Sequence, residues 1–503
     1  MSYTVLNKSE RSTQPETSAS STLNQKCFFI FSSDPLTLNI YLRPEMVTRL
    51  SRSGHKFVII TEEHDSPYLK EYFDHPGFLL RALEKDALNK VFRLNRLSSF
   101  FRTVRFYTYG TKKVADLNTR NLVLKAFSQE EKEKSNWKGA RYIDLCLKIA
   151  NQACRFRSIR GILQVLEQRL CPFNGHQHLY EEFKPDLIIC GRLGYMDDAL
   201  VLREARSNTV PSISVIKNWD NTTTKGYRGC LPDHVIVWNE TMKREAEVYH
   251  DVPEARLHIC GVPFWDSYFH AGTIKNKDAF CTEYNLSTAK QTIYFAMTAP
   301  THYRHNFKII IEILNAIRGE QFTQPVQLLV RVHPFYVLSF GSEGGYSIQE
   351  IQDIETEFGD LVSFSYPEVE TVGSRELLSD SNQTALKEIL THSDLLVSVY
   401  STQLVEGALF DLPLVNVSYH NWRDTDEPIG VISQFEHIQQ IMQDGAITNC
   451  HDDRQLIEAI DQGLKNPEHL RENRRIMADK LVPPEHRGKA ANAIVDTFLE
   501  LVK

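Results

Sequence analysis

Short apolar runs alternate with helical patterns along most of the chain. CFFIF, which begins at Cys27, predicts a buried strand, the following stretch predicts a helix ending near Gly54, and KFVIIT predicts the next strand. This βαβ order indicates a parallel sheet with right-handed crossovers. The same rhythm returns with the predicted strands PDLIIC, SISVI, HVIVWN and LHICG.

A second series of the same kind follows a polar stretch. TIYFAM, QLLVRVHP, LVSFSY, DLLVSVY and PLVNVSY predict strands, and FKIIIEILNAI and TQLVEGALFD predict helices between them. A chain of 503 residues also exceeds the roughly 250 to 300 residues at which one hydrophobic core stops growing. We therefore predict an α/β fold with two Rossmann-like, doubly wound domains that face a cleft.

The same pattern sets the expected domain limits. Residues 25–265 are predicted to form the first domain, 266–285 a hinge and 286–480 the second domain. The final stretch, 481–503, is apolar on one side and is predicted to be a helix that packs back on the first domain. The polar, Ser- and Thr-rich residues 1–24 are predicted to be a disordered tail, and the role of residues 66–180 is left open.

Composition narrows the classes of partner. The net charge of -7 provides no general attraction to nucleic acid or to anionic lipid, so we expect no nucleic-acid partner. No apolar run approaches the ~18 residues of a membrane span, which predicts no transmembrane segment but leaves peripheral membrane contact open. The nine cysteines form no CxxC pair, which is typical of reduced thiols in a cytoplasmic protein.

Polar residues directly after the predicted strands of the second half are candidates for ligand binding, because parallel sheets bind ligands beyond the carboxyl ends of their strands. Hydroxyl groups at the start of a helix can bind a phosphate, although Ser401 or Thr402 could equally act only as a helix cap. A histidine can donate a proton to a leaving group. A carboxylate one turn into that helix would need hydrogen-bond donors such as a ribose diol. The predicted donor-binding residues are Thr298, Arg331, His333, Ser401, Thr402 and Glu406.

The first half offers a different composition after the strand SISVI. The stretch KNWDNTTTKG concentrates hydrogen-bonding groups beside one aromatic ring, which is typical of a sugar or polyol site, although a turn rich in Asn and Asp would look similar. Asp220 is the candidate base for an acceptor hydroxyl, and His333 is its catalytic partner on the leaving-group side. The predicted acceptor-binding residues are Asp34, Asn218, Trp219, Asn221 and Lys225.

The segment SDLLVSVYSTQLVEGALFDLPLVNVSY resembles the donor-binding stretch of GT-B glycosyltransferases, and more closely that of the CDP-glycerol glycerophosphotransferase group. LLVRVHP is similar to the same group, in which the histidine faces the donor phosphates. Glu406 and Pro413 fall where retaining GT-B enzymes carry a glutamate and a proline. Ser398 replaces another glutamate, and Asp411 stands where glycine is usual. The resemblance, which covers about residues 180 to 490, therefore implies donor binding but no retaining mechanism.

Together these features predict a metal-independent GT-B transferase. It would move a group from a nucleotide-activated sugar or polyol donor to a carbohydrate or lipid-linked acceptor of surface-polysaccharide synthesis. The Asp-Thr-Asp sequence at 424–426 has the spacing of a metal motif but lies beyond the predicted donor pocket, so no metal or other cofactor is expected. A non-hydrolysing sugar-nucleotide 2-epimerase and a non-catalytic carbohydrate-binding subunit stay open as alternatives, as do the nucleotide base and the acceptor.

Overall fold

The structure is a computed structural model. It describes residues 25–33, 37–38, 43–94, 101, 156–191, 196–224, 230–272, 274–300, 303, 305–339, 348–372, 375–378, 381–419 and 432–503. The predicted tail, 1–24, lies outside these residues, and so do residues 95–100 and 102–155 of the 66–180 stretch.

The first domain is built on a seven-stranded parallel sheet with strand order β3-β2-β1-β4-β5-β6-β7. The strand that begins at Cys27 is an inner strand of this sheet and is buried along its whole length, because helices cover both faces, and this explains its unbroken apolar run. Strand order reverses between β1 and β4, where Ile30 pairs with Ile189. The strands are β1 (Cys27–Ser32), β2 (Lys56–Thr61), β3 (Phe78–Ala82), β4 (Leu187–Cys190), β5 (Ser212–Val215), β6 (His234–Val237) and β7 (Leu257–Ile259).

The second domain is built on a six-stranded parallel sheet with order β10-β9-β8-β13-β14-β15, and β11 and β12 form a separate antiparallel hairpin. Its order reverses between β8 and β13, where Ala296 pairs with Ser398. The strands are β8 (Gln291–Ala296), β9 (Val326–Arg331), β10 (Val362–Ser365), β11 (Val369–Val372), β12 (Arg375–Leu378), β13 (Leu395–Ser398), β14 (Leu414–Val417) and β15 (Ile447–Cys450).

Helices connect the strands of both sheets. In the first domain and the segment after it they are α1 (Pro44–Arg52), α2 (Pro67–Tyr72), α3 (Lys85–Leu94), α4 (Arg157–Leu170), α5 (Gln177–Phe183), α6 (Met196–Ser207), α7 (Asn221–Thr224), α8 (Glu240–His250), α9 (Asp266–Phe269) and α10 (Lys277–Glu283). In the rest of the chain they are α11 (Asn306–Arg318), α12 (Pro334–Ser339), α13 (Gln349–Phe358), α14 (Ser381–His392), α15 (Gln403–Leu409), α16 (Glu436–Gln443), α17 (Asp453–Lys465), α18 (Arg471–Leu481) and α19 (Ala490–Glu500).

The predicted pair of Rossmann-like, doubly wound domains is confirmed. Strands β3 and β15 and the hairpin were not expected from the sequence. β15 lies at a sheet edge and exposes Thr448, so it lacks the continuous apolar run by which the other strands were recognised. An edge strand needs burial on fewer sides and therefore carries a weaker pattern.

The two domains are held together by shared apolar packing. One cluster of buried side chains contains Trp219 and Trp238 of the first domain with Leu404 and Leu414 of the second. The chain then returns: α18 packs on α15, and α19 packs on α1 of the first domain, with Phe498 buried in its core. The C-terminal helix therefore crosses back between the domains.

A buried carboxylate holds the start of this C-terminal helix. Asp266 accepts hydrogen bonds from the backbone N–H groups of Ala490, at 3.1 Å, and Ala491, at 2.7 Å. Burial raises the pKa of Asp266 to about 6, although both hydrogen bonds act in the opposite direction. The segment between the domains is thus attached to both the first domain and the helix that returns to it.

Candidate active site

A cavity of about 250 Å³ lies at the carboxyl edge of the second sheet, where strand order reverses. Its walls are the ends of β8 and β9, one side of α14 and the start of α15. Four predicted donor-binding residues line it, namely Arg331, His333, Ser401 and Thr402. Ligands of open parallel sheets bind at this kind of position.

A strained turn delivers Ser401 and Thr402 to the cavity. Tyr400 has a φ of +42°, a region that non-glycine residues rarely adopt. Its backbone N–H donates to Asn416 Oδ1 at 2.7 Å, and its hydroxyl is hydrogen-bonded to that of Ser418. These bonds to the neighbouring strand and the loop after it hold the turn, which ends β13 abruptly and directs the chain into α15.

Arg331 carries a buried positive charge into the cavity wall. Only 8% of the residue is exposed, and burial lowers its pKa. Its guanidinium donates to three neutral acceptors: Ser365 Oγ at 2.7 Å, the Tyr366 carbonyl at 2.9 Å and Asn382 Oδ1 at 2.6 Å. Among the residues that the structure describes, no carboxylate forms an ion pair with it. A buried cation whose hydrogen-bond partners are all neutral favours binding of an anion such as phosphate.

His333 presents a defined side of its ring. Its Nδ1 accepts the backbone N–H of Phe335 at 3.1 Å, so the neutral imidazole carries its proton on Nε2. The residue lies at the end of β9, two positions after Arg331, and is half-buried. Nε2–H is therefore the group with which His333 can donate to a ligand oxygen.

Two predicted donor-binding residues do not line this cavity, which corrects their assignment. Thr298 is buried and its hydroxyl donates to the Val399 carbonyl at 2.8 Å, so it ties the ends of β8 and β13 together. Glu406 is buried behind the wall, where it accepts from the Tyr268 hydroxyl and from Gln403 Nε2 at 2.7 Å. Burial raises the pKa of Glu406 to about 7. The hydrogen bonds of Thr298 to the end of β13, and of Glu406 to Tyr268 and Gln403, therefore hold both side chains away from the cavity.

The predicted acceptor residues that the structure describes lie on α7 and the turn before it. Asn218 is exposed, and Asp220 Oδ2 accepts the Thr224 hydroxyl at 2.8 Å. Trp219 is buried, and its ring meets that of His437 edge-on at 4.9 Å between centroids. Its ring is therefore part of the domain interface, so the predicted role of Trp219 as an aromatic surface for a sugar or polyol is corrected. Asp34 and Lys225 lie outside the described residues.

Asn221 has the most unusual environment of this group. The residue is 2% exposed, and neither its amide nitrogen nor its amide oxygen has a hydrogen-bond partner. Buried amides are nearly always paired, so an unpaired one is a candidate for ligand binding. It offers both a donor and an acceptor, as a polyol hydroxyl requires.

The second-domain histidine beside this turn is His437 on α16. Its Nδ1 lies 3.4 Å from the Thr223 hydroxyl. Burial lowers the pKa of His437 to about 4, while the nearby charge of Asp220 acts in the opposite direction. Asp220 and His333 are both described, and no ion pair joins them. The sequence analysis missed His437 because it lies within a helix, where no strand end marked it.

None of the helices in the described part of the chain combines the length and the hydropathy needed to span a lipid bilayer.

Comparison with known proteins identifies the family. The model of the CDP-glycerol:poly(glycerophosphate) glycerophosphotransferases matches residues 217–500, more than half of the chain. The teichoic acid glycerol-phosphate primase of Bacillus spizizenii is 24% identical over 190 residues, which are 37% of this chain and 40% of that protein. The match thus spans about two fifths of the length of this relative.

Solved structures with a similar arrangement include enzymes of two kinds. The UDP-GlcNAc 2-epimerase of Neisseria meningitidis aligns with a TM-score of 0.49 and 12% identity over 95% of this chain and 100% of its own. The wall teichoic acid polymerase TagF aligns with a TM-score of 0.44 and 12% identity over 94% of this chain and 88% of its own.

The family match includes the turn before α7, the cavity and the whole of the C-terminal helix, α19. It confirms the resemblance inferred from LLVRVHP and from the segment around Ser401. The chain belongs to the CDP-glycerol:poly(glycerophosphate) glycerophosphotransferase family.

Proposed function

We propose that the protein transfers a polyol phosphate of the glycerol-phosphate class from a CDP-activated donor to a hydroxyl of a surface-polymer or lipid-linked acceptor. Family membership supports this reaction over epimerisation. The observation that carries the proposal is the buried guanidinium of Arg331, which has only neutral partners and lies in a cavity at the reversal of strand order. A nucleoside diphosphate supplies a negatively charged partner for this guanidinium.

In this proposal the donor diphosphate lies against Arg331, Ser401 and Thr402. Their positive charge and hydroxyl groups, together with His333, stabilise the charge that develops on the leaving phosphate. A metal ion would then not be required, since the protein itself supplies the positive charge. The proposal therefore includes metal-independent transfer.

The acceptor hydroxyl oxygen attacks the phosphorus that bears the glycerol. A new phosphorus–oxygen bond forms, the bond to the bridging oxygen of the diphosphate breaks, and its electron pair stays on the departing CMP. Asp220 takes the proton of the acceptor hydroxyl, and Nε2–H of His333 donates to the CMP phosphate. Asn221 binds a hydroxyl of the acceptor in this scheme.

A nucleotide screen tests the donor class. Thermal unfolding is measured with CDP, UDP, GDP and ADP, because a ligand at 100 times its Kd adds about 2.7 kcal/mol to the free energy of unfolding. We expect the largest rise in Tm with CDP, and release of CMP from CDP-glycerol that depends on added acceptor. Absence of any nucleotide binding at millimolar concentration would support a non-catalytic carbohydrate-binding protein instead.

A further inference from the structure

A hydrogen-bonded chain leads from the segment between the domains to the wall of the cavity. Tyr268, on α9, donates its hydroxyl proton to Glu406 Oε2, and Gln403 Nε2 donates to Glu406 Oε1 at 2.7 Å. The hydroxyl of Tyr294, on β8, donates to Gln403 Oε1 at 2.9 Å. Gln403 and Tyr294 line the cavity, whereas Glu406 and Tyr268 lie behind it.

These contacts fix the orientation of the Gln403 amide. An amide has two N–H donors and two acceptor lone pairs, and the hydrogen bonds to Glu406 and from Tyr294 use one of each. A rotation of the amide by 180° would place its NH₂ group against the Tyr294 hydroxyl and its oxygen against the Glu406 carboxylate. When that carboxylate is ionised, the flipped state brings two acceptors together and is disfavoured. One N–H and one lone pair of Gln403 are thus left for a ligand.

The position of Gln403 in the cavity indicates what this amide meets. Arg331, with its buried charge, and the hydroxyls of Ser401 and Thr402 suit the diphosphate. A neutral amide that offers one donor and one acceptor suits a hydroxyl or base edge of the nucleoside.

We propose that Gln403 binds the nucleoside part of the donor, and that Glu406 is a positioning residue that orients Gln403 and is itself held by Tyr268. This inference rests on the proposed donor site. It also gives the segment between the domains a direct link to donor affinity, because Tyr268 belongs to that segment. Glu406 acts through Gln403 and does not touch the donor.

The inference is tested by a double-mutant cycle read out as the Kd for CDP in calorimetry at pH 8, where Glu406, whose pKa is raised to about 7, is ionised. Glu406→Gln keeps the side-chain size but removes the preference for one amide orientation, so we expect CDP to bind about 3- to 10-fold more weakly, as for loss of one hydrogen bond. Gln403→Ala should weaken binding to a similar extent. In the Gln403→Ala background, Glu406→Gln should cause no further loss. A purely structural role of Glu406 would give independent losses that multiply.

Tyr268→Phe provides a second variant, since it removes only the hydroxyl that holds Glu406, and we expect a smaller loss of the same kind. Ser398→Ala is the matched control: it deletes one buried hydrogen bond, to the Ala296 carbonyl at 2.9 Å, outside this chain of contacts, and should leave the Kd for CDP unchanged. The inference is overturned if Gln403→Ala and Glu406→Gln both bind CDP as tightly as wild type. If Arg331→Met loses CDP binding in the same experiments, the proposed donor site is retained. Retained CDP binding in Arg331→Met would instead overturn the donor site.

Discussion

The two sides of the candidate active site are built in different ways. On the donor side, rigid strand ends deliver Arg331, His333 and Ser401 into one cavity. On the acceptor side, the four-residue helix α7 and the turn before it carry the candidates, and the side-chain amide of Asn221 is buried there without a hydrogen-bond partner. A site on strand ends is set by the backbone, whereas a site on a short helix depends on how each side chain packs. Donor recognition should therefore depend on charge, and acceptor recognition on single hydrogen bonds.

The largest expected effect separates the two sides by kinetics. Asp220→Asn should lower kcat by about 10² to 10⁴, as for loss of a general base, and leave the Kd for CDP unchanged. The measurement is steady-state CMP release together with calorimetry. His437→Gln is the comparison, because His437 is the nearby histidine. Full activity in Asp220→Asn with a large loss in His437→Gln would transfer the role of base to His437.

The next effect concerns the buried carboxyl group behind the donor cavity. The pKa of Glu406 is raised from 4.5 to about 7, so the folded protein keeps a proton that the unfolded chain releases between these values. Stability is therefore lost as pH rises through this window, by about 3 kcal/mol at most. Glu406→Gln lacks this titration, so its free energy of unfolding should rise relative to wild type from pH 5 to pH 8.

Chemical denaturation at the two pH values measures that difference. Asp266→Asn serves as the control, because the pKa of Asp266 is also raised, but only to about 6, and its window closes earlier. The same pH dependence in wild type and Glu406→Gln would show that this carboxyl group titrates normally in the folded protein.

The smallest effect tests the unpaired amide. Asn221→Leu should raise the KM for the acceptor by about 3- to 10-fold without lowering Tm, since replacing a buried unpaired polar group by an apolar one costs little stability. Thr222→Val is the matched neighbour: its hydroxyl is bonded to Glu245, so this variant should lower Tm and leave the acceptor KM unchanged. A large loss of Tm in Asn221→Leu would indicate a structural amide.

The same contrast explains what the sequence could predict. The strands, their parallel order and the placement of Arg331 and Ser401 followed from apolar runs and the residues after them. The side-chain orientations of Glu406 and Trp219 could not be predicted in this way. They depend on contacts with the hydroxyl of Tyr268 and the ring of His437, and both partners are more than 130 residues distant in the chain. Contacts at that separation leave no local pattern.

The sequence shows that Asp411 is unusual for its position, but only the structure explains why an aspartate is tolerated there. Asp411 stands where the resembling family has glycine, and its φ of +57° lies in the left-handed region that glycine adopts freely. Its carboxylate pairs with the buried Arg474 at 2.8 Å and with Arg471 at 2.5 Å. The ion pairs offset the cost of the backbone conformation, and the partner arginines could not be identified from spacing alone.

The central claim is that the charge of Arg331 binds the donor diphosphate without a metal ion. Calorimetric titration of CDP into wild type and Arg331→Met, each in the presence of EDTA, tests it most directly. The account predicts measurable binding to wild type in EDTA and binding at least about 10-fold weaker in the variant, in line with loss of a charged hydrogen bond. Equal affinity in the two proteins, or wild-type binding that EDTA abolishes, would contradict it.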